Sequence, residues 1–134
     1  MDYAALRQEV ARRAAGKCEY CHIPDWLAAI DFELDHIIAG FHHGERNLEN
    51  VAYACYSCNR YKQSNIAGLN PATGRMVRLF NPRIDRWSQH FAWDGPSLAG
   101  KTTRGRITID VLRINRPERL AMRQFLIWAG RFPE

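Results

Sequence analysis

The chain has 134 residues, 46% apolar and 25% charged, the proportions of one globular domain rather than of a disordered or fibrous chain. Its longest apolar runs, Trp26–Ile30 and Phe125–Gly130, fall far short of the roughly 20 residues a membrane span needs, and the charged start at Arg7, Glu9, Arg12 and Arg13 is not a secretory leader. The expectation is a soluble cytoplasmic protein of net charge +5, placed unevenly: residues 1–66 sum to −2 and residues 67–134 to +7.

In chain order, Asp2 caps a first helix with Leu6 and Val10 on one face, ended by Gly16. Two Cys-x-x-Cys pairs follow, Cys18/Cys21 and Cys55/Cys58. A reducing compartment argues against disulfides. A redox motif would want a βαβ setting, which the pattern lacks. An iron centre uses the same four sulfurs, but two knuckles wrapping one tetrahedral Zn²⁺ is the reading adopted. Such a closed site is structural, and it lowers the net charge from +5 to +3.

Between the knuckles, Phe32, Leu34, Ile37 and Ile38 read as a short strand ending near His36. Gly40 and Gly44 mark a loop, in which His42 and His43 either meet phosphate or are solvated. A second short strand returns through Asn50 to Cys55, and residues 58–63 read as a short polar helix.

These residues resemble the HNH endonucleases. The resemblance rests on Leu34-Asp35-His36-Ile37-Ile38, on Asn50 five residues before a Cys-x-x-Cys, and on Asn59 directly after it. It covers about residues 16–66 and implies a ββα-metal fold, an α+β finger stapled by four cysteines, in an H-N-N variant with Asn59 in the last position. Residues 79–123 are also similar to a tail found on one group of small bacterial HNH proteins. By the resemblance, Asn50 holds the loop that orients the imidazole.

The chemistry can be argued from residue types alongside. His36 suits a general base for water, since imidazoles as a class exchange protons near neutral pH. Asp35 and Asn59 offer two hard oxygens for one Mg²⁺ or Mn²⁺. Neighbours in a regular strand face opposite ways, so a break or bulge is expected where Asp35 and His36 serve one site. Taken singly, each residue has a plainer reading: a core histidine, a turn aspartate, and two capping asparagines.

Beyond residue 66 the chain reads as a basic extension flanking the finger. Residues 66–105 look irregular, with a hairpin around Gly95–Gly100, and their aromatics read as packing more readily than as base stackers. Residues 106–114 fit strand or helix, and helix is chosen. Pro117 opens a last helix that Gly130 ends. Residues 1–134 are expected to form one domain, with DNA as partner and with Arg60, Lys62, Arg75, Arg78, Arg83, Arg86, Arg104 and Arg106 as candidate contacts. The expected activity is metal-dependent DNA cleavage. The alternative is a zinc-stapled nucleic-acid-binding module without catalysis.

Overall fold

The computed structural model describes residues 1–133. The first helix, α1 (Tyr3–Arg13), is capped by Asp2, whose carboxylate accepts from the Ala5 amide, and it buries Leu6 and Val10. Gly16 turns the chain with φ +72°, which a glycine takes without strain. The finger follows: β1 (Glu33–His36), β2 (Val51–Ala54) and α2 (Tyr56–Lys62). The two strands pair antiparallel, with Glu33 opposite Ala54 and His36 opposite Val51. All four residues of β2 are buried, with α1 and α2 both packed against the strand.

Two further hairpins stand apart from this sheet: β3 (Ala67–Asn70) with β4 (Arg75–Arg78), and β5 (Phe91–Asp94) with β6 (Ser97–Gly100). A single turn, α3 (Trp87–His90), leads into β5. The first of these hairpins falls where the sequence reads as irregular, and the second where a hairpin is expected. Helix α4 (Thr103–Leu112), capped by the Thr102 hydroxyl, carries the ambiguous segment and buries Ile107, Ile109 and Leu112. It lies against α2, β3 and β6, so it ties the extension to the finger. Gly68 is required here: a Cβ would sit 2.6 Å from the Ile107 side chain and 2.7 Å from Val111. The last helix, α5 (Pro117–Trp128), buries only Arg123 and Leu126.

The architecture is α+β, five α-helices and six short strands among the described residues, arranged around the ββα finger. The aromatics of residues 66–105 pack inward. Trp87 stacks on His22 at 3.9 Å and donates its indole N–H to the Tyr20 carbonyl, while Phe80 and Phe91 meet edge-on. No described helix is long and apolar enough to cross a membrane.

Candidate active site and cysteine cluster

The knuckles bring Cys18, Cys21, Cys55 and Cys58 together, all buried, with their sulfurs within 4.8 Å of one another. The Cys21 and Cys55 sulfurs lie 3.8 Å apart. A tetrahedral ion with Zn–S bonds of about 2.3 Å requires S–S edges of about 3.8 Å, so the cluster fits such an ion. The Cys55 sulfur also caps α2, accepting from the Cys58 amide. The second knuckle therefore fixes the start of the helix that carries Asn59.

At the far end of β1 a cleft of about 470 Å³ opens, lined by Leu34, Asp35, His36, Ala39, Gly40, Asn59, Gln63 and Ser64. The three residues on which the sequence argument turns therefore share one cavity. His36 is half-buried, and no described side chain hydrogen-bonds its ring. The loop beyond it is clasped by Asn50: its Oδ1 accepts from the Ile38 amide at 2.9 Å, and its Nδ2 donates to the carbonyls of Ile38 and Glu45. His42 and His43 are exposed on that loop and do not line the cleft.

Asp35 differs from expectation. The β1/β2 register runs without a bulge, and the Asp35 carboxylate turns inward, only 2% exposed. Tyr20 donates its hydroxyl to Oδ2 at 2.6 Å and Lys62 its ammonium to Oδ1 at 3.2 Å. Burial pushes the Asp35 carboxyl above its usual range, against the pull of Lys62 and Tyr20. The Lys62 ammonium also donates to the carbonyls of His36 and Ile37, tethering the strand end that carries His36.

Asn59 has a partner the sequence reading did not name. Its Nδ2 donates to Glu33 Oε2 at 3.1 Å. Glu33 and Asp35 are two apart on β1, and Asn59 and Lys62 three apart on α2, so the two pairs match across the strand–helix contact. The exposed carboxylate of Glu33, on the rim of this site, was legible only in its period-2 spacing from Asp35.

The candidate basic grip needs correction. Lys62 is buried on Asp35, and Arg83 is paired with Glu19 with both side chains largely covered. Arg78 makes a two-point pair with Asp85, which Arg104 also reaches. Each of these residues has a carboxylate partner, with Arg78 and Arg104 still partly exposed. Arg60, Arg75, Arg86 and Arg106 remain exposed, Arg60 with a hydrogen bond to the Tyr56 hydroxyl and Arg106 with one to Thr103.

Residues 18–65 match the family model described as HNH endonuclease. These residues are an HNH domain. The matched span starts at the first cysteine and ends three residues after Lys62, so it contains both the cysteine cluster and the cleft. Over a wider span the chain is similar to two curated proteins. It is 26% identical to the Septu protein PtuA of Bacillus mycoides (strain KBAB4), over 88% of this chain and 20% of that protein. It is 27% identical to the Septu protein PtuB of Bacillus thuringiensis, over 83% of this chain and 41% of that protein. The chain thus spans less than half the length of either relative. No solved structure matches it. The match supports a nuclease-type function at the level of the family.

Proposed function

We propose that this chain is a metal-dependent endonuclease that hydrolyses DNA phosphodiester bonds, built as one unit from the HNH domain and its basic extension. The observation that carries the reading is the cleft that His36 and Asn59 line together with Asp35, whose carboxylate lies just inside it on Tyr20 and Lys62. The half-exposed imidazole of His36 takes a proton from water entering the cleft. The water oxygen attacks phosphorus, the bond to the 3′ oxygen breaks, and the products carry 5′-phosphate and 3′-hydroxyl ends. A Mg²⁺ or Mn²⁺ ion held by the Asp35 carboxylate and the Asn59 amide oxygen would offset the charge that builds on the departing oxygen. Tyr20 and Lys62 each use one lone pair of Asp35, and a carboxylate has about four acceptor positions. Glu33 holds Asn59 by Nδ2, which leaves Oδ1 for the ion. Asn50 keeps the loop closed behind His36.

In this reading, the four cysteines hold a structural Zn²⁺ that fixes β1 and α2 at the angle the cleft needs, in a reducing, cytoplasmic setting. Arg60, Arg75, Arg86 and Arg106 supply phosphate contacts from the surface.

The non-catalytic reading draws on one observation: the Asp35 carboxylate is already engaged inside the protein. The experiment that separates the two is incubation of supercoiled plasmid with purified protein in Mg²⁺, Mn²⁺ or EDTA. Relaxed or linear product that forms with metal and not with EDTA supports the nuclease. Bound but uncut plasmid under every condition puts the binding module in its place.

A further inference from the structure

Arg116 stands at the N-cap of α5, and Arg119 and Arg123, four apart on the helix, share one of its faces. None of them points to open solvent. Arg116 donates to Ser57 Oγ at 2.7 Å and to the Tyr61 hydroxyl at 3.0 Å, both on α2. Arg123 is buried and donates to the carbonyls of Pro96 and Ile114. Arg119 is different in kind. Its guanidinium reaches the Cys55 sulfur at 3.5 Å and the Cys21 sulfur at 3.7 Å, and no carboxylate among the described residues pairs with it.

A half-buried guanidinium beside neutral thiols would have no anion to offset its charge. Four thiolates around one Zn²⁺ carry a net −2, and two of those four sulfurs face Arg119. Apolar packing, by contrast, holds α5 weakly. Phe125 and Trp128 are 65% and 80% exposed. Between α5 and the finger runs a groove of about 470 Å³, lined by Ile23, Leu27, Phe32 and Met122 among others.

We propose that Arg119 is the counter-cation of the zinc-loaded tetrathiolate, and that this contact makes the seating of α5 on the finger depend on an occupied metal site. The proposal rests on the zinc reading above. The C-terminal helix then acts as an electrostatic cover. It slows metal loss and shields Cys21 and Cys55 from electrophiles.

The test compares wild type, Arg119→Gln and Arg119→Lys, each purified with zinc and assayed for zinc content. Two quantities are read: hydrogen exchange of residues 117–133, and the rate of zinc transfer to a chromogenic chelator. Loss of one charge-assisted contact predicts that Arg119→Gln exchanges α5 amides and releases zinc about tenfold faster. The β1 and β2 amides should stay protected in the same sample. Arg119→Lys, which keeps the charge but loses the planar reach to two sulfurs, should fall between and serves if the glutamine variant does not fold. Variants that load zinc yet match wild type in both readouts would overturn the proposal. Absence of zinc from the wild-type protein would overturn the zinc reading instead, and this proposal with it.

Discussion

Lys62 reads in the sequence as a phosphate contact and sits in the structure as an internal cation, and the two roles predict opposite results for Lys62→Ala. The Lys62 and Asp35 side chains are each 2% exposed, with 3.2 Å between ammonium and carboxylate. Removing the lysine leaves a buried carboxylate with only the Tyr20 hydroxyl and removes two hydrogen bonds to the carbonyls of His36 and Ile37. Breaking a buried pair from one side costs about 3–5 kcal/mol. For a chain of this length, that lowers the melting temperature by roughly 10–20 °C. A surface lysine replaced by alanine changes stability by no more than about 0.5 kcal/mol. The assay is thermal and urea unfolding of the zinc-loaded variant, beside a cycle of Lys62→Met, Asp35→Asn and the double variant Asp35→Asn/Lys62→Met. The double variant should recover much of the stability lost in Lys62→Met, because neither charge is then stranded. An Lys62→Ala protein as stable as wild type, with weakened DNA binding and a flatter salt dependence, would refute this account of Lys62.

Three further outcomes follow from the same geometry. Zinc removal by chelation, or Cys55→Ser, should unfold the finger and lower zinc content together, since metal binding of this kind contributes about 10–16 kcal/mol to folding; unchanged melting with no zinc by elemental analysis would count against it. Neutralising Arg75 and Arg86 should weaken DNA binding equally across sequences and reduce the slope of log affinity against log salt by about one unit per lost contact, whereas Arg83→Gln should act on stability through Glu19 instead. Burial alone would raise the Asp85 carboxyl, but Arg78, the Asn81 amide and Arg104 outweigh it and hold the group below its ordinary value of 3.8. Its stabilising contribution is therefore complete above that value and fades as the pH falls through the lower folded-state value, and acid titration of Asp85→Asn should show this part of the acid sensitivity removed.

The finger was legible because its landmarks are chemical: four cysteines, an Asp-His pair and two asparagines at fixed spacing. The flanking helices were legible from caps and breakers at Asp2, Gly16, Pro117 and Gly130. The β3–β4 hairpin was not, because Gly68, Pro71 and Gly74 imitate a loop. What makes Gly68 a strand residue is the close approach of Ile107 and Val111, nearly forty residues away. The ambiguity of residues 106–114 arose because Ile107 and Ile109 satisfy both periods. Burial of Thr108 between them, with its hydroxyl accepting from the Phe80 amide, shows the helical solution. The fate of the arginines was the least legible feature. Whether a guanidinium meets solvent, a carboxylate or a sulfur is decided by which elements the fold lays beside it, and the sequence spacing of Arg83 from Glu19, or of Arg119 from Cys55, carries no local signal of that. The same holds for Asp35. Strand alternation predicts that it faces away from His36, but the partners that hold it inside come from Tyr20 and α2.

The central claim is that His36 acts as the base in a metal-dependent cleavage. The most direct test is the single-turnover rate of plasmid cleavage by wild type and His36→Ala at saturating Mg²⁺, with DNA affinity and zinc content measured on the same preparations. The account predicts unchanged binding and zinc content, with a rate lower by about 10²–10⁴-fold. Equal cleavage rates for the two proteins would contradict it.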